Sequence, residues 1–252
     1  MSVARCSILL SVCALFSVAT TENLPQRVSD DVRTIMTKAE RAVEDNDLQL
    51  ALVLYEGTLY SNGITLAIDY QSINDSKQHD AILSAIKTWS EELKGDFPLI
   101  LVDESEKADV VLRFVDAIDK QGPDALGLIQ LRKNYRWNSL KREISYEGSI
   151  QVVRTAPGGA LNKSEVLDVV LHEFGHLLGL GDVSKTGVLM GPLERGKPLL
   201  KPTVGEVEDI RALRSLLRER IEEIQSRGTK LSTRSGRTSS SSEHAVRVAS
   251  SH

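Results

Sequence analysis

In the stretch VVLHEFGHLLGLGD, residues 169–182, two histidines stand four apart and a glutamate directly follows the first. On a helix that spacing turns both imidazoles, His172 and His176, to one face, where they can share an ion. Glu173 then lies one residue on, within reach of a water held by that ion. Three residues after His176 comes Gly179, which can take the left-handed conformation that ends a helix and turns the chain back. Asp182 follows. Either it returns to the ion as a third ligand, or it is an ordinary turn aspartate and water or another carboxylate completes the shell. A catalytic zinc needs three protein ligands, and two histidines with one carboxylate are an established set, which favours the first reading.

These residues must be held by a particular helix. Its start is marked by Asn162 as N-cap with Glu165 three residues on, a capping-box pattern, after the turn PGG at 157–159. The helix is apolar almost all round, through Val166, Leu167, Val169, Val170, Leu171, Phe174, Leu177 and Leu178. It is expected to be a buried central helix, where His and Glu without partners would be costly. Upstream, ITLAIDY (64–70) reads as a strand. Ala81, Ile82, Ala85, Ile86, Trp89 and Leu93 then recur at helical spacing, with Gly95 ending that helix. PLILVD, ADVVLRFVD, ALGLIQLR and GSIQVVRT bring the count to a five-stranded sheet, with a polar, aromatic-dotted loop expected over 133–147.

The 252 residues, 41% hydrophobic and 26% charged, suffice for one domain of ordinary size with extensions, and a net charge of −4 predicts neither nucleic-acid nor acidic-lipid binding. The first residues, MSVARCSILLSVCALFSVAT, combine Arg5, an apolar run from Ile8 to Val18 and small residues before a polar segment. This is the pattern of a secretory signal peptide over 1–19, too short for a membrane span. Both cysteines, Cys6 and Cys13, fall inside it, so no disulfide is expected in the mature chain. Residues 20–61 are expected to form a helical N-terminal extension or pro-segment. Val32, Ile35, Ala39, Ala42 and Val43 make one stripe, Leu48, Leu50–Leu54 and Leu59 the next, and the turn lies near Asp45–Asp47. A mixed helix-and-strand domain is then expected over 62–220, and the Ser/Arg-rich tail, 221–252, is expected to be disordered.

HEFGHLLGLGD followed by VLM resembles the metzincin clan of zinc metalloproteases, most of all the matrixins. ADVVLRFVD resembles the matrixin strand written ADIxIxF, and TVGEVEDIRALRSL resembles the last helix of that catalytic domain, so the likeness covers about Ile64 to Leu217. It implies an α+β zincin fold with a twisted mixed sheet, a long helix packed on it, the central HExxH helix, a Met-turn and a C-terminal helix. It further implies zinc on His172 and His176, Glu173 as general base, and Met190 as the turn methionine beneath the metal. Asp182 stands at the place of the third matrixin histidine, and the sequence is similar to the snapalysins in using aspartate there. No PRCGxPD segment and no histidine-rich loop are present, and Gly191, Pro192 and Leu193 differ from the matrixin MYP type.

The expectation is therefore a secreted or, in a bacterium, periplasmic zinc endopeptidase, monomeric, acting on protein or peptide substrates. One catalytic zinc is implied, and nothing indicates a structural calcium. Substrate is expected to lie antiparallel to an edge strand formed by Ser149, Ile150, Gln151, Val152 and Val153. The alternative is a secreted binding or scaffold protein with a structural or inactive zinc site, distinguished by a fourth protein ligand in place of an open position.

Overall fold

The computed structural model describes residues 24–103, 107–118, 125–138, 141–232 and 244–251. The expected signal segment lies outside these residues. No described helix is long and apolar enough to cross a membrane.

The described part opens with a helical hairpin, α1 (Asp30–Glu44) and α2 (Leu48–Leu59). Ser29 caps α1 and Asp47 caps α2, each side chain accepting a backbone N–H of the first turn. Three strands and a long helix follow: β1 (Ile64–Ile68), α3 (Ser76–Glu92), β2 (Leu99–Val102) and β3 (Val110–Val115). After α3 the chain reverses through Lys94 and Gly95, both at positive φ. A long hairpin comes next, β4 (Gly127–Trp137) and β5 (Arg142–Val153), then a small one, β6 (Thr155–Ala156) and β7 (Gly159–Ala160). The HExxH helix is α4 (Lys163–Leu177), with both halves of the Asn162/Glu165 capping box formed. The final elements are α5 (Val204–Ser232) and β8 (His244–Ser251).

The sheet order is β2-β1-β3-β5-β4-β8. β2, β1, β3 and β5 are parallel, and β4 runs antiparallel to β5. This is the expected α+β fold with its five-stranded mixed sheet, and β8 adds a sixth strand antiparallel to β4. The main core lies between the sheet and helices α3 and α4, centred on Trp89, Leu112, Ile150 and Phe174. The indole N–H of Trp89 donates to the carbonyl of Leu171, 3.1 Å away, and so fixes α3 against α4 one residue before His172. A second core gathers α1, α2 and α5 against the far end of the β4/β5 hairpin, through Ile35, Leu54, Tyr135, Trp137, Leu213 and Leu217.

Three expectations are corrected. Ser149–Val153 is not a sheet edge: β5 is paired on one side with β3 and on the other with β4. The chain places β4 outside β5, so the outer strand of the hairpin is the earlier one. The loop expected over 133–147 is instead the far half of that hairpin, with Leu131, Lys133, Tyr135 and Trp137 alternately buried. Its polar sequence is strand because α2 covers it. Tyr135 fits against Gly57, where a Cβ would come within 2.5 Å of the ring, and Arg142 donates to Glu56 and Gln49. Finally, the tail is not disordered throughout. α5 continues to Ser232 because Ile221 and Ile224 extend the buried stripe of Leu213 and Leu217, and 244–251 pair with β4. Residues 233–243 lie outside the described part.

Candidate metal centre and its cleft

The HExxH pair stands on the last turns of a helix buried for most of its length. The Nδ1–H of His172 donates to the carbonyl of Leu189 at 2.7 Å, and that of His176 to the carbonyl of Leu180 at 3.0 Å. A carbonyl can only accept, so Nδ1 carries a proton in both rings, and in the neutral form the Nε2 lone pair is left for a ligand bond. The chain then reverses at Gly179, φ 99°, and Asp182 comes back over the pair. Its Oδ1 lies 3.1 Å from His172 Nε2 and 3.5 Å from His176 Nε2. Ligand atoms on a tetrahedral zinc with ~2.0 Å bonds stand about 3.3 Å apart, so these spacings suit one ion. Among the described residues this trio is the cluster able to hold a metal, with donor atoms within 4.8 Å of one another. The sequence-predicted His172, His176 and Asp182 are thus brought together, with Asp182 solvent-facing, its side chain 68% exposed.

Glu173 lines the same cleft as the trio, with its Oε1 close to Gly127 at the start of β4. It is buried, and its Oε2 has no hydrogen-bond partner among the described residues. Burial pushes its carboxyl up to about 8, against the lowering influence of the His172 ring and the Ile129 N–H. Burial also acts to lower His172, but the Asp182 hydrogen bond and the Glu173 charge outweigh it and raise the imidazole above its ordinary value. An orphaned carboxylate oxygen beside three converging donors is the arrangement a zinc with an attacking water would complete.

Met190 is fully buried beneath α4. A Cβ on Gly175 would stand 2.3 Å from its sulfur, so glycine between the two histidines is what lets the methionine close on the helix. The turn is tied on both sides: the Met190 N–H donates to Glu206 and its carbonyl accepts from Val183, the residue after Asp182. On the other flank of the aspartate, the Gly181 N–H donates to the carbonyl of Arg27, and the Ser29 N–H to that of Gly179. The N-terminal extension therefore helps hold the loop that carries Asp182.

Residues that sequence reading passed over shape this centre. Gly127 of β4 abuts Glu173, where a Cβ would lie 2.3 Å from Oε1. Glu206, fully buried, accepts from Thr203 N–H and hydroxyl as well as from Met190. The Thr203-x-x-Glu206 capping box was the available signal for it. The cleft above the trio, about 420 Å³, is walled by Ala125, Leu126 and Gly127 on one side and by Gly191, Pro192 and Leu193 on the other. Ser149–Val153 does not reach it; the strand beside Glu173 is the start of β4.

A mixed sheet, a buried HExxH helix and a returning carboxylate over a methionine turn define an α+β metalloprotease domain. The matrixin model matches residues 60–216, more than half of the chain, and the chain belongs to the matrixin family. Zinc and protease chemistry come with that membership. Comparison with curated proteins finds no match.

Proposed function

We propose that the protein is a secreted zinc endopeptidase in which His172, His176 and Asp182 hold the metal and Glu173 is the general base. The observation that carries this reading is the buried, unpartnered Oε2 of Glu173 beside two histidine Nε2 atoms and the Asp182 carboxylate. Held by these three residues, zinc would polarise the scissile carbonyl and acidify the attacking water. Glu173 takes the proton of that water as its oxygen bonds to the carbonyl carbon, and delivers it to the leaving amine as the C–N bond breaks. The leucine carbonyls hold the imidazoles in the required tautomer, and the Met190 turn holds the Asp182 loop. An extended peptide lies along the start of β4, because Ala125, Leu126 and Gly127 wall the cleft beside the three donors. Three protein donors, with no fourth among the described residues, favour an open catalytic position over a closed structural site. Secretion rests on the apolar run of residues 8–18.

Zinc analysis and peptide hydrolysis by the purified chain test the assignment together. Glu173→Gln is expected to keep about one zinc per chain and lose more than ~100-fold in kcat. Asp182→Ala is expected to lose zinc on dialysis. An alanine variant with full zinc and rate would return Asp182 to the role of a turn residue.

A further inference from the structure

Behind the wall formed by Pro192 and Leu193 lies a second cavity, of about 350 Å³, which shares those two residues with the cleft. Asp168 lines it, one helical turn before His172 on α4. The residue is only 5% exposed, and its Oδ1 has no hydrogen-bond partner among the described residues, although the Leu199 N–H reaches the carboxylate. The other charged groups of the lining, Glu194 and Lys197, are paired with each other at 3.0 Å, so the Asp168 charge is not offset within the cavity. Leu189 and Leu199 make much of the remaining wall apolar. A pocket with leucine side chains in its wall and a buried carboxylate suits a long methylene stem ending in a cation. A buried carboxylate without a cationic partner is costly, and a basic side chain would remove that cost.

Resting on the peptidase reading above, we propose that this cavity receives the lysine or arginine side chain of a substrate residue flanking the scissile bond, with Asp168 as the specificity-determining group. Burial pushes the Asp168 carboxyl up to about 6, so it is ionised over most molecules at neutral pH and available to pair. Nothing in the proposed proton transfer uses it.

The test is a peptide library, randomised at two positions on each side of one bond, digested by the zinc-loaded full chain. At one flanking position lysine and arginine are expected to exceed norleucine and acetyl-lysine by at least ~10-fold in kcat/KM. Asp168→Asn should bring that ratio close to one without changing the pH profile of the norleucine peptide. The acetyl-lysine comparison uses the unaltered protein, so the result stands even if the variant folds poorly. In the metal-free chain, NMR titration should show acetyl-arginine amide binding at Asp168 more tightly than acetyl-citrulline amide. Cleavage without a basic preference, a preference that survives Asp168→Asn in a folded variant, or equal binding of the two amides overturns the subsite alone. A chain that cleaves no library member overturns the peptidase reading and the subsite with it, whatever the binding arm gives.

Discussion

Gly127 lacks a side chain at the point where Glu173 needs the space. A Cβ there would stand 2.3 Å from Oε1 and 2.7 Å from Val169, a helix side chain with nowhere to retreat in a packed core. Gly127→Ala is therefore expected to push the carboxylate off its position while leaving the three donors in place. The predicted result is retained zinc, a stability loss of about 1–3 kcal/mol in denaturant unfolding, and a kcat lower by roughly 100-fold. An alanine variant of normal rate would show that Glu173 tolerates displacement and would weaken its role as base. The histidines and Glu173 were readable from sequence because four-residue spacing on a helix is a local geometric fact. Gly127 was not, because its meaning depends on which strand faces the helix, and that is a property of the assembled sheet.

The helical hairpin α1–α2 was legible as an element from its two apolar stripes, but not what it touches. Its lead-in, Arg27 to Ser29, pairs with the Gly179–Gly181 turn through two backbone hydrogen bonds of 2.8 and 2.9 Å around a bridge between Val28 and Leu180. A variant lacking residues 20–61 should accordingly bind zinc at least ~10-fold more weakly and unfold at lower temperature, as measured by chelator competition and thermal melts. Higher activity with unchanged zinc affinity would make the segment a removable inhibitor instead. The same limit on reading explains the other differences. Lateral strand order put β4, and not Ser149–Val153, beside the cleft. Tyr135 and Trp137 looked like loop aromatics until α2 supplied the surface they pack on. In α5, serine and arginine hid the continuing Leu213, Leu217, Ile221, Ile224 stripe.

Across the whole molecule, Arg214 of α5 joins three segments. It donates to both oxygens of Asp96, in the turn after α3, and to the carbonyl of Leu59 at the end of α2. Arg218 adds a second cation to Asp96. Burial acts to raise the Asp96 carboxyl, but the hydrogen bonds and charges of the two arginines prevail and hold it down at about 2. A depressed carboxyl contributes stability above its unfolded value, about 4, and loses it as pH falls toward the folded one. Asp96→Asn is thus expected to lower Tm by roughly 2–4 °C at pH 7, a modest effect for a part-exposed pair, with the difference shrinking between about pH 4 and pH 2. A gap in Tm that persists at pH 2 would point to a cause other than charge. The final strand has a consequence at this scale too. β8 covers the backbone donors and acceptors of β4 from Gln130 to Trp137, which would otherwise stand open as a template for the same strand of another copy. A chain ending at Ser232 should therefore self-associate in a concentration-dependent way in sedimentation velocity runs, while the full chain remains a single species. The last strand would then act as a guard against aggregation.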